Sequence, residues 1–204
     1  METNRGTVWT PNINGMQVQL NDKQVYRSAT ESNIMEIFNG NADLRATIMN
    51  GREFYAGKII NGKVFLELPS TLESSYLVPW TGISISPPTE VARVFSFNVY
   101  VNGKSIGFLQ YSKDTWVNGW DVEKELNQIS FHYYPIDCTV TGNGSFTWGS
   151  VTVNGGTNLT AQKGWNMIFS YGTYNKDIDP FNANRETTTD ISKVPAGMNW
   201  VIRF

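Results

Sequence analysis

Eight Asn-Gly steps punctuate this chain, at Asn14, Asn39, Asn50, Asn61, Asn102, Asn118, Asn143 and Asn154. Asn and Gly take positive φ more readily than other residues, and a type I′ turn needs positive φ at both central positions. Asn-Gly between alternating apolar residues is the strongest short-range hairpin signal. Such a chain is constrained to an all-β fold. The expected form is an antiparallel β-sandwich built of hairpins.

Two of these turns predict a register. A two-residue loop at Asn102-Gly103 sets Val101 opposite Lys104, Val99 opposite Ile106 and Phe97 opposite Phe108. Phe95, Phe97, Val99 and Val101 then share one face, with Ser96 and Asn98 on the other. At Asn61-Gly62 the same construction pairs Ile59 with Val64, Gly57 with Leu66 and Tyr55 with Leu68. Further strand candidates are 7–9, 16–20, 44–49, 128–134, 138–141, 146–153, 165–171 and 199–204. Helix signals are few. Ser28–Phe38 carries Ile34, Ile37 and Phe38 at helical spacing with Gly40 as a C-cap, and reads equally well as a loop and a strand. Asp121–Leu126 has room for one or two turns, with Asp121 as N-cap.

Pro87-Pro88, within 84–89, interrupts strand and helix alike. It divides the chain into an N-terminal β module, 1–86, and a C-terminal β-sandwich module, 90–204. One domain with a proline-rich crossover is the competing organisation. The polar stretch 175–189 is long for a loop, and loops of that length are usually functional or mobile.

Composition excludes several function classes. The 204 residues carry 16 Lys and Arg against 18 Asp and Glu, a net charge of -2 with no basic run. Nucleic acid is therefore not an expected partner. One His and one Cys exclude HExxH, multi-histidine metal sites, Cys-based zinc clusters and an intramolecular disulfide. No apolar run reaches the roughly 20 residues of a transmembrane helix. Charged residues are 17%, below the roughly 25% of an average soluble domain. Asn, Thr, Ser and Gly take their place, a look shared by extracytoplasmic and virion β-proteins. The start, Met1–Gly6, has no apolar signal-like segment, so an extracytoplasmic protein would have had its signal removed.

Candidate chemistry is sparse. His132 falls on the face of Ser130 and Tyr134, and a triad would need a nucleophile and a carboxylate beside it. No G-x-S-x-G elbow supplies the serine, so His132 reads as a structural or exposed strand histidine. Trp116 and Trp120 flank Val117-Asn-Gly119. At a hairpin tip their indoles could stack on sugar rings or anchor a protein; otherwise they pack back on the sheet. Asp177, Asp179, Asn182 and Asn184 cluster hard oxygens as calcium requires, without the EF-hand spacing. The alternative is a solvated loop held by Asx-turns. No other cofactor is expected. Asn143 and Asn158 sit in sequons and read as turn chemistry. Cys138 reads as a small buried hydrophobe. Trp9, Trp80, Trp148, Trp165 and Trp200 lie in or beside strands, as core or rim.

Two segments resemble a group of uncharacterised all-β bacterial surface lipoproteins. Phe54-Tyr-Ala-Gly-Lys-Ile-Ile-Asn-Gly-Lys-Val-Phe-Leu-Glu-Leu-Pro69 is similar to their G-x-I-x-N-G-K-V-x-L-x-L-P hairpin. Lys163-Gly-Trp-Asn-Met-Ile-Phe-Ser170 resembles their K-G-W-N strand near the C-terminus. Together they cover 24 of 204 residues. The resemblance implies an extracytoplasmic all-β protein with an N-terminal lipid anchor, and brings no catalytic residues.

The leading functional expectation is a non-enzymatic surface or secreted binding or adhesion module, with a carbohydrate or surface protein as partner. A virion, tail-fibre or pilus-like structural subunit is the first alternative. A carboxylate-pair glycoside hydrolase is the second, although none of the acids carries a local signature.

Overall fold

The structure is a computed structural model and describes residues 12–13, 16–17, 22–28, 35–113, 127–148, 150–175, 177–190, 193–194 and 197–203. Trp116 and Trp120, with the short helix expected at 121–126, lie outside the described residues. The first strands are β1 (Asn12–Ile13), β2 (Met16–Gln17), β3 (Val25–Ser28), β4 (Met35–Ile37) and β5 (Ala42–Thr47). There follow β6 (Glu53–Ile60), β7 (Lys63–Leu66), β8 (Ser84–Ser86), β9 (Ala92–Val94), β10 (Phe97–Val101) and β11 (Lys104–Lys113). The last six are β12 (Gln128–Tyr134), β13 (Cys138–Trp148), β14 (Val151–Ala161), β15 (Gly164–Tyr174), β16 (Asn182–Thr188) and β17 (Met198–Arg203). The fold is all-β. A 3-10 turn spans Ser74–Tyr76.

Asn61-Gly62 and Asn102-Gly103 form the expected turns. Their φ values are 49° and 76°, and 50° and 75°. Two registers slip once at a β-bulge, β10–β11 beside the second turn and β5–β6 on the far side of β6 from the first. Val101 faces Lys104, but Val99 faces Gly107 and Phe97 faces Leu109, with Ile106 as the extra residue. Between β5 and β6, Leu44 faces Gly57 while Arg45 faces Tyr55, so Ala56 is the extra residue. Each bulge is followed by a glycine at φ near +135°, 136° at Gly107 and 134° at Gly57, where an L side chain is strained. The bulge inverts the inside-outside phase. Ile59–Val64 and Gly57–Leu66 pair as expected. Tyr55 instead turns outward, 47% exposed, and Ala56 is buried. The ambiguous segment 28–38 contains a strand, β4, which pairs with β3.

Among the described residues, fifteen strands join one mixed sheet in the order β7-β6-β5-β10-β11-β12-β15-β16-β14-β13-β8, with β17, β3, β4 and β9 attached beside this path. Most pairs are antiparallel; β14–β16 and β17–β3 are parallel. Ladders cross the Pro87-Pro88 segment: β5 pairs with β10, β3 with β17, and β8 with β13. The larger core draws on both sides of it, from Leu44 and Ile59 to Phe131 and Trp200. Trp200 stacks on Phe131 at 6.5 Å and meets Tyr111 edge-on at 5.0 Å.

Two features of the sheet create a hollow. The first is a curl. Edge strand β8 and strand β9, on the far side of β12, are joined by six Cα steps, at most about 21 Å. Laid flat, the six ladder spacings between them would need about 29 Å. The sheet therefore curls, and Val91, Tyr134, Val140, Leu159 and Ile168 meet in a second apolar cluster on its inner face. The second is a splay. Residues 162–163 connect β14 to β15, yet β16 lies between them. It is parallel to β14 over Thr152–Thr157 and antiparallel to β15 over Phe169–Tyr174. The two strands part as they leave their connection, and β16 fills the opening like a wedge.

Candidate functional site

The hairpin β13–β14 runs eleven residues on each side. Two Asn-Gly steps expected as turns, Asn143-Gly144 and Asn154-Gly155, lie inside its strands, with Gly144 paired to Gly155 and Asn143 to Gly156. The sequence is in phase for a strand there. Cys138, Val140, Leu159 and Ala161 face inward at one end, and Val151 and Val153 are buried at the other. Period two puts Gly142, Gly144, Gly155 and Thr157 on the same inner stripe between them. Ile83 fills the space beside Gly142, where an added Cβ would stand 2.7 Å from its Cδ1, and the side chains missing at Gly144 and Gly155 open a gap in the apolar surface.

That gap is a cavity of ≈370 Å³. Its floor is the glycine ladder. Trp80 and Phe95 supply aromatic wall, Ile83 and Ile168 aliphatic wall, and Ser145, Thr157, Ser170 and Thr187 hydroxyls. Arg93 enters from β9 and Arg185 from the wedge strand β16, both half-buried. The Arg93 guanidinium lies over the Trp80 ring at 4.4 Å and the Phe95 ring at 5.8 Å. Burial lowers its pKa. Its Nε is buried and makes no hydrogen bond among the described residues. Among the described residues, the lining contains no Asp or Glu. A second recess, of ≈550 Å³, shares Gly144, Gly155, Gly156 and Arg185 with the cavity and adds Asn154, Asn184 and Glu186.

His132 lines the cavity and is 2% exposed. It lies on one strand face with Ser130 and Tyr134, as alternation predicts. Ser130 Oγ is 3.1 Å from Nε2, and Tyr134 Oη is 3.3 Å from Nδ1. Trp80 meets the ring edge-on at 5.2 Å. Desolvation, then the positive charges of Arg93 and Arg185, hold the imidazole well below its usual pKa. It is neutral at physiological pH, and both ring nitrogens are engaged. Ser130 is 1% exposed and does not line the cavity, so this pair presents no nucleophile to it. Burial raises the Tyr134 phenol pKa, keeping it protonated.

The proposed calcium residues sit at the other end of β16. Asn175 Oδ1 accepts hydrogen bonds from the Asp177 and Ile178 amides, at 3.1 and 3.3 Å. The Asp179 carboxylate accepts from the Phe181 amide at 3.2 Å and from Asn182 Nδ2 at 3.0 Å. These are the contacts of Asx-turns. Asn184 is exposed on β16. Asp179 and Asn182 are brought together by direct contact. Among the described residues no three His, Cys, Asp or Glu side chains gather into one group.

Sequence reasoning missed Arg93, Arg185 and the glycine floor. The usable signal was the unbroken period of two through Asn143-Gly144 and Asn154-Gly155, which argues for strand where the dipeptide argues for turn. Comparison with family models, with curated proteins and with solved structures finds no match for this chain.

Proposed function

We propose that this chain is a non-enzymatic binding module of an extracytoplasmic protein, secreted or lipid-anchored, and that its ligand site is the cavity over the β13–β14 glycine ladder. The observation that carries this reading is the cavity itself. Glycine occupies two inward positions, Gly144 and Gly155, where the strand pattern would place packing side chains, and the space left is of the size that small ligands occupy. Surrounding it are groups suited to holding a ligand: aromatic walls, hydroxyls and two guanidiniums. His132 is fixed between Ser130 and Tyr134 and serves the wall. The low charge, the Asn- and Thr-rich surface and the lipoprotein-like segments at 54–69 and 163–170 support the location.

The test is to fill the cavity from its floor. A Cβ on Gly144 meets nothing within 4 Å, so Gly144→Leu is sterically tolerated. A small-molecule library is screened by thermal shift against both proteins. Hits that stabilise the wild type and not Gly144→Leu are expected, and mass spectrometry should return each hit unchanged. Equal binding by a folded Gly144→Leu variant would move the site elsewhere. Chemical conversion of a hit would overturn the non-enzymatic part.

A further inference from the structure

We propose that the cavity is built for a carboxylate carried on a ring, an inference that rests on the cavity being the ligand site. Three observations converge on it. Two guanidiniums, Arg93 and Arg185, enter the cavity from different strands, and no acidic side chain of the described lining stands with Arg93. The Arg93 guanidinium rests over the Trp80 ring at 4.4 Å, with the Phe95 ring at 5.8 Å, which restricts the directions in which its N–H groups can point. Its Nε is buried without a hydrogen bond among the described residues, so this guanidinium has fewer acceptors than its donors can use.

A planar carboxylate matches a planar guanidinium by paired hydrogen bonds, which a point charge does not use. The remaining wall, from Trp80 and Phe95 to Ile83 and Ile168, is apolar and suits a flat ring. Hydroxyls at Ser145 and Thr187 suit ring substituents. The ring belongs to an aromatic acid or to an acidic sugar, and the same Arg93 contact serves both.

Calorimetry on the whole chain with phenylacetate, phenylacetamide, N-acetylneuraminate and its methyl ester distinguishes the cases. At least one acid should bind, about tenfold or more tighter than its neutral counterpart. Arg93→Met keeps the apolar stem and should lose that same factor. Arg93→Lys keeps the charge but not the fork, and should recover only part of it. Preference for phenylacetate assigns the aromatic source, and preference for the neuraminate the sugar source. Failure of both acids to bind at millimolar concentration overturns the inference. So does equal binding of acid and neutral counterpart, or wild-type affinity in Arg93→Met. If Gly144→Leu abolishes binding in those last cases, the cavity reading survives and the carboxylate alone is rejected. If Gly144→Leu binds as the wild type does, the cavity reading falls too.

Discussion

Gly144 and Gly155 face each other across the β13–β14 ladder, and neither has the positive φ that would demand glycine. Gly144 has open space where its Cβ would stand, and at Gly155 the nearest atoms would be 3.7 Å away. Their absent side chains are therefore a matter of volume and not of backbone geometry. Gly57 is the opposite case. Its φ is +134°, and a Cβ there would stand 2.1 Å from the Phe65 carbonyl oxygen.

Alanine substitution separates the two kinds of glycine. Gly144→Ala should be neutral or stabilising by up to about 1 kcal/mol, since it narrows the unfolded ensemble without strain. Gly57→Ala should cost about 2 kcal/mol or more, from the forbidden φ and the backbone clash. Urea unfolding of both variants measures the contrast.

The lone histidine makes stability depend on pH with a definite sign. In the native chain burial and the facing Arg93 and Arg185 depress His132. Above about pH 6.5 it is neutral in both states and contributes no slope. Below about pH 6.5 the unfolded chain takes up a proton that the native chain refuses, so stability falls by up to about 1.4 kcal/mol per pH unit. His132→Asn should remove that part of the slope. The single imidazole signal of the native protein should not titrate between pH 7.5 and 5.5 in an NMR series.

Cys138 is 5% exposed, and burial followed by the nearby Asp137 raises its thiol pKa. A protonated, covered thiol is a poor nucleophile. It should not react with a disulfide reagent in native buffer at pH 8, and should react within minutes in 6 M guanidinium. One equivalent per chain is expected, because the sequence has one Cys.

Core and surface substitutions should differ by several-fold. Trp200 is fully buried, between Phe131 and Tyr111. Trp200→Ala should cost about 3–5 kcal/mol. The Arg27–Glu36 pair is half exposed on both sides, and Glu36→Gln should cost under about 1 kcal/mol. Chemical denaturation midpoints of the two variants provide the comparison.

The sequence was legible wherever a local rule decided the outcome. Turns at Asn61-Gly62 and Asn102-Gly103 need only two residues to be specified, and strands such as Gln128–Tyr134 announce themselves by composition. Bulges were not legible. Gly57 and Gly107 look like ordinary strand glycines until the partner strand shows which residue is extra, and the side of the sheet that Tyr55 takes depends on it. The cavity was hidden for a related reason. Asn143-Gly144 satisfies turn chemistry and strand period together, and only pairing with Gly155 decides between them. Arg93 and Arg185 lie 92 positions apart in sequence, and the sheet's curl and the wedge of β16 bring both to the same hollow.

The wedge also sets an order of events during synthesis. β14 and β15 are complete by Tyr174, but the strand that belongs between them begins at Asn182. A nascent chain that has emerged only to Tyr174 carries two long strand edges with no partner, the arrangement that invites pairing between molecules. It also lacks the strand that carries Arg185. Residues 182–188 therefore protect the growing chain from self-association in the same step that completes the pocket wall, so a chain ending before them would lose solubility and binding together.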